Sequence, residues 1–131
     1  MNRWAAIATL IVLSAVWLEP TMLNAQQGQC DISGTWMNDG NTREVTISAR
    51  GDVWTGKLSW SSEQNGKIGF AIFQGFHYDD QHGDYSGTVV RPDSGGRALA
   101  TLSCQGSTTI KLTAHKGPLR KSSMWHRVAS Q

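Results

Sequence analysis

From Cys30 onward, apolar and polar residues alternate along the chain, and no segment repeats its apolar residues at helical spacing. Trp54, Leu58 and Trp60 fall in one phase, opposite Thr55 and Lys57. Alternation with a period of two is typical of strands that bury one face. Further alternating sets are Val45/Ile47, Ile68/Phe70/Ile72 (with Phe73 in the opposite phase), Tyr85/Gly87/Val89, Ala98/Ala100/Leu102/Cys104, Ile110/Leu112/Ala114 and Ser123 to Val128. The chain is therefore predicted to be all-β.

Short glycine-containing turn sequences separate these runs, as at Asp39-Gly40, His82-Gly83 and Gln105-Gly106. Regular short strands with tight turns indicate an antiparallel sandwich or barrel. Closure of a single sheet removes the exposed edges that invite aggregation. Between Ile32 and Val128 there is room for about eight strands of ordinary length. We expect a small closed antiparallel up-and-down barrel, with glycines inside strands marking bends or bulges.

The N-terminal segment has the layout of a secretory signal peptide. Arg3 precedes an uncharged apolar run, Trp4 to Leu18, which is shorter than the ~20 residues of a membrane-spanning helix. We place cleavage after Ala25, which predicts a signal peptide at 1–25 and one barrel domain at 26–131. An uncleaved membrane anchor is the alternative.

Charge and cysteine content narrow the class of protein further. The net charge of +2 is too mild for a nucleic-acid footprint or a polybasic membrane patch. The two cysteines, Cys30 and Cys104, form an even count in an exported chain, which predicts one structural disulfide. A redox pair is the alternative, but it needs a spacing of the Cys-x-x-Cys type.

In a closed barrel the first and last strands are neighbours, which brings Gly34-Thr35-Trp36 beside Trp125-His126-Arg127. We expect the Arg127 guanidinium to lie on the Trp36 indole, a cation–π contact worth about 0.5–2 kcal/mol. Trp36 would then plug one end of the barrel.

A Gly-x-Trp motif in the first strand, combined with an arginine near the end of the last strand, resembles the lipocalin-like (calycin) barrels. The chain is most similar to a family of small exported bacterial proteins of unknown function with that barrel. The matching segments are Gly34-Thr35-Trp36, Gly75-Phe76 with Asp79, Gly87 to Pro92 with Gly95, and Trp125-His126-Arg127. The resemblance implies a shape and a compartment, and it implies no reaction.

A second resemblance is to the avidin-type biotin binders, which open similarly. Asn38 and Thr42 match the residues that hold the ureido group in that family. The tyrosine of the next strand falls at Leu58, and Trp125 alone matches the later tryptophans of the pocket. The polar groups for biotin are therefore incomplete.

The segment from His77 to Asp84 is the densest polar cluster. His77, Asp79 and His82 are weak candidates for a metal site, and a solvated hairpin tip is the alternative. Motifs for nucleophilic, phosphate-binding or zinc-protease chemistry are absent from the sequence. We therefore expect neither an enzyme nor a cofactor.

Two functions remain. The first is a periplasmic or secreted binding protein that holds a small apolar or amphipathic ligand in the barrel mouth, in a cavity of at least ~300 Å³. Its candidate ligand-binding residues are Trp54, Leu58, Trp60, Phe70 and Tyr85. The second is a packed barrel whose surface binds an envelope protein or modulates an envelope enzyme. Neither function involves nucleic acid, nor membrane insertion after signal cleavage.

Overall fold

A computed structural model describes residues 29–63 and 67–129. Eight antiparallel strands close into one barrel, which confirms the predicted fold class. The predicted signal peptide at 1–25 lies outside the described residues. Among residues 29–63 and 67–129, no helix is long and apolar enough to cross a membrane. The strands are β1 (Gly34–Asn38), β2 (Arg43–Arg50), β3 (Val53–Ser61), β4 (Ala71–Asp79), β5 (Asp84–Val90), β6 (Arg97–Cys104), β7 (Thr109–Lys116) and β8 (Leu119–Arg127).

Each strand pairs with its neighbour in the chain, and β1 also pairs with β8 to close the barrel. At this seam Trp36 lies opposite Arg127 and Asn38 lies opposite Trp125. We call the end where β1 begins and β8 finishes the terminal end. The other end, which carries the β1–β2, β3–β4, β5–β6 and β7–β8 connections, is the distal end.

The barrel interior is filled by one cluster of buried side chains. Phe73 stands at its centre, with ring centroids 5.9 Å from Phe76 and 5.4 Å from Trp125, both edge to face. Edge-to-face pairs of this kind add stability beyond the apolar area that they bury. The rest of the cluster comprises Ile32, Trp36, Val45, Ile47, Leu58, Ile72, Tyr85, Ala100, Leu102, Ile110 and Leu112.

Two glycines make room for these rings. A Cβ at Gly56 would lie 2.6 Å from the Phe73 ring, and one at Gly87 would lie 2.7 Å from the Phe76 ring. Both distances are far below van der Waals contact, so a side chain would force the aromatic groups aside. The strand pairing also shifts on both sides of Gly56, as expected for an irregularity at a glycine inside a strand.

Two details of the sequence-based phase assignment are wrong. Trp60 does not share the inward phase of Leu58, because a bulge makes it pair with Glu44 on the outer wall, where 42% of its surface is exposed. Phe73, predicted to face away from the Ile72 set, is a core residue, whereas Ile68 is half exposed.

Candidate functional site

Trp36 and Arg127 seal the terminal end of the barrel. The Trp36 side chain is 1% exposed, and the Arg127 Cζ lies 4.3 Å from the centroid of its ring. The indole Nε1 donates a 2.9 Å hydrogen bond to the carbonyl oxygen of Ile32, which is itself fully buried. The expected plug and its guanidinium cover are both present.

A short segment before β1, Cys30 to Ser33, crosses this end, and we call it the clasp. Arg127 Nη1 donates to the Ser33 carbonyl at 2.8 Å, and Nη2 donates to the Asp31 carbonyl at 3.0 Å. The Tyr85 hydroxyl donates to the Cys30 carbonyl, and burial raises the pKa of that phenol above its usual value of 10.0. Neutral Tyr85 therefore remains a hydrogen-bond donor to the clasp at physiological pH.

The predicted disulfide fastens the clasp to β6. Cys30 and Cys104 are bonded, with a Cα–Cα separation of 6.6 Å and a sequence separation of 74. A cleft of about 260 Å³ lies beside the bond and is lined by residues of this same closure, including Trp36, Ser107 and Arg127. The cleft is thus part of the closed terminal end of the barrel.

Four of the five candidate ligand-binding residues belong to the core cluster or pack against it, and Trp60 does not. Trp54 and Tyr85 lie edge to face near the terminal end, with ring centroids 4.9 Å apart. Leu58 is buried in the core, Phe70 is half-buried near the distal end, and Trp60 lies on the outer wall. Within the described chain, Trp54 Nε1 is the one buried side-chain nitrogen or oxygen without a hydrogen-bond partner.

The polar candidates have local roles. Asp79 and His82 pair at the β4–β5 turn with 2.6 Å between Oδ2 and Nδ1, while His77 lies opposite Ser86 on the paired strands. No group of three or more metal-ligating side chains occurs among residues 29–63 and 67–129. The hydrogen bond between Asp79 and His82 raises the pKa of His82 and lowers the pKa of Asp79.

Asn38, the candidate ureido ligand, is occupied by the β1–β2 turn. Its Oδ1 accepts 2.9 Å hydrogen bonds from the backbone N–H groups of Thr42 and Arg43, and its Nδ2 donates to Thr42 Oγ1 at 2.9 Å. The side chain therefore folds the turn, as asparagine commonly does.

The distal end has a different construction. Five of its inward-facing side chains are small or apolar and only half-buried: Phe70, Val89, Ala98, Ala114 and Ser123. We call this set the distal cup. Its floor is the packed core, where Trp125 is 5% exposed and donates from Nε1 to Ser123 Oγ at 3.2 Å. Phe70 and Val89 pack against the buried core cluster that includes Trp125, so side chains fill the barrel beneath the cup.

Sequence reasoning missed two residues at this end, Arg43 and Lys121. Lys121 pairs with Ala114, which pairs in turn with the buried Ala100, so the lysine occupies an inward position at the rim. Arg43 pairs with the buried Ser61 and is itself half-buried. The alternating pattern predicts a last strand that begins at Ser123, whereas β8 begins at Leu119. With the earlier start, the alternation of β8 would have placed Lys121 on the inward face.

The fold and the site define a closed eight-stranded barrel that is sealed at one end and has half-buried, inward-facing apolar side chains at the other. Comparison with protein-family models, with curated proteins and with solved structures finds no match.

Proposed function

We propose that this protein is an exported binding barrel that takes the apolar part of a small ligand into its distal cup. One asymmetry carries the proposal. The terminal end is sealed by Trp36, Arg127 and the disulfide-linked clasp, whereas the distal end leaves inward-facing apolar side chains half-exposed. Ligand sites in β-barrels lie preferentially in such mouths.

The size of the cup limits the ligand. Side chains fill the barrel below it, as is usual for the interior of an eight-stranded barrel. A ligand therefore inserts only a short alkyl chain or a single small ring, and the remainder stays outside. Contact with Val89, Ala98 and Ala114 would supply most of the apolar burial, at about 25 cal/mol per Å².

The disulfide supports the compartment that belongs to this proposal. Disulfides persist in oxidising environments such as the periplasm and the extracellular space. The Cys30–Cys104 bond thus favours a periplasmic or secreted protein. We include no catalytic step in the proposal.

Filling the cup tests this function. The purified protein is titrated with N-phenyl-1-naphthylamine, a neutral dye that fluoresces in apolar surroundings. We expect saturable binding that Ala98→Phe abolishes, because the new ring occupies the cup. Ala49→Phe is the matched control, since Ala49 is exposed at the terminal end of β2. A flat titration of the wild-type protein, with no small molecule retained in native mass spectrometry, would reject the proposal.

A second function, binding to another envelope protein, is favoured by an exposed apolar corner. Trp60 is 42% exposed and Ile68 is 50% exposed. Both lie at the β3–β4 corner, since the Gly69 N–H donates to the Leu58 carbonyl beside them. A photo-crosslinking residue at position 60 should then give one discrete adduct in cells, and the same residue at the exposed position 57 should give none.

A further inference from the structure

Basic side chains are concentrated at the distal end. The connections and strand ends there carry seven Lys and Arg residues and four Asp and Glu residues. Those of the terminal end carry three Lys and Arg residues and five Asp and Glu residues. The distal cations are Arg43, Lys67, Arg91, Arg97, Lys116, Arg120 and Lys121. The distal acids are Asp39, Glu44, Glu63 and Asp93. The two ends of the barrel therefore differ in the sign of their charge.

No lysine or arginine at the distal end forms an ion pair with another described residue. The two ion pairs between described residues join His82 to Asp79 and His126 to Asp39, and neither uses a lysine or an arginine. Arg97 donates to the neutral amide oxygen of Gln74 at 3.4 Å, which leaves its charge in place. The positive potential at this end is thus available to a ligand.

Two of these cations border the cup itself, and a third lies at an inward position of the same end. Lys121 is exposed at an inward position beside Ala114, and Lys116 lies two residues beyond Ala114 in the same phase. Arg43 lies opposite the buried Ser61 at the distal end of β2. A hydrated ammonium on a long flexible stem reaches an anion at the rim while its methylene groups cover apolar surface.

From this arrangement we infer that the ligand is an anionic amphiphile. Its apolar chain lies on Val89, Ala98 and Ala114, and its carboxylate, sulfate or phosphate head lies beside Lys121 at the rim. The inference rests on the proposed function, since it names the chemistry of the ligand that the cup takes. Charge on the head would select this ligand over a neutral one with the same chain.

The test compares three ligands with one chain length: decanoate, decanol and decyltrimethylammonium. Binding to the purified protein is measured by calorimetry below the micelle concentration in ~0.01 M salt, where the Debye length is ~30 Å. We expect decanoate to bind at least about tenfold more tightly than decanol, a difference of ~1.4 kcal/mol. Lys121→Glu should remove that preference. The control Lys111→Glu makes the same charge change on an exposed site toward the terminal end and should preserve it.

Each outcome separates the inference from the function beneath it. Equal affinity for decanoate and decanol would overturn the inference while the cup remains a binding site. Failure of all three ligands to bind would remove both. Sedimentation with phosphatidylglycerol vesicles, without uptake of monomeric decanoate, would assign the basic end to a membrane surface and also overturn the inference. Loss of the decanoate preference in Lys111→Glu would show that net charge is responsible, and that result contradicts a site at the rim.

Discussion

Replacing Trp36 by alanine removes the side chain that fills the terminal end of the barrel. The substitution leaves a void between the core and the clasp, because the indole is 1% exposed. It also leaves the Ile32 carbonyl without its 2.9 Å hydrogen bond, and it removes the ring beneath the Arg127 guanidinium. Three contacts of the terminal end are therefore lost together.

The expected loss is large compared with the stability of a small domain. Truncation of a buried tryptophan to alanine costs about 3–5 kcal/mol. The hydrogen bond and the cation–π contact contribute about 1 kcal/mol each, but these terms overlap with the first and do not simply add. We expect the free energy of unfolding to fall by about 4 kcal/mol, out of the ~5–15 kcal/mol that is typical of a domain.

Urea unfolding followed by far-ultraviolet circular dichroism measures this change with the disulfide intact. Circular dichroism is preferable to fluorescence because the substitution deletes one fluorophore. Trp60→Ala is the matched control, since Trp60 is 42% exposed on the outer wall, and it should change stability by less than about 1 kcal/mol. A loss below about 1 kcal/mol for Trp36→Ala, or an equal loss for Trp60→Ala, would refute the role of Trp36 as a plug.

Three further predictions follow from the fold. Cys104→Ser should lower the free energy of unfolding by about 4 kcal/mol, measured by the same urea titration, because it opens a loop with a sequence separation of 74. Gly87→Ala should lower the melting temperature, because the new Cβ would lie 2.7 Å from the Phe76 ring and overpacking of this kind costs about 1–3 kcal/mol. Gly40→Ala is the control and should leave the melting temperature unchanged, because no atom lies nearer than 3.8 Å to a Cβ at that position. Nuclear magnetic resonance should find a His82 pKa above 6.5, and this pKa should fall in Asp79→Asn. The ion pair between the two residues then stabilises the fold at intermediate pH. Its contribution is lost as pH rises through the raised His82 pKa, or as pH falls through the Asp79 pKa, which lies below 3.8.

Strand count, closure and the Trp36–Arg127 contact were predictable because each depends on a local signal. Alternation identifies strands, glycine turns separate them, and closure makes the first and last strands neighbours. Once Trp36 and Arg127 were assigned to those two strands, their contact required no further information. The disulfide between Cys30 and Cys104 followed in the same way from an even cysteine count.

The composition of the candidate site was not predictable because it depends on register and height within the barrel. One bulge moves Trp60 to the outer wall, and the local sequence does not mark the extra residue. Trp54 and Phe70 both face inward, but phase alone does not say that they lie toward opposite ends. Lys121 was hidden because the first residues of β8 project beyond the core and carry no apolar pattern.

The pairing of β1 with β8 sets the order in which the barrel can fold. Every other pair of strands is a local hairpin, whereas Arg127 meets Ser33 across 94 positions of the chain. Long-range pairing of this kind slows folding, because the entropy of a long loop is lost before the contact forms. Until β8 has been synthesised, β1 keeps an edge with unpaired backbone groups, which is open to pairing with other chains. A nascent or truncated chain is therefore most prone to aggregate through the strand that completes the finished barrel.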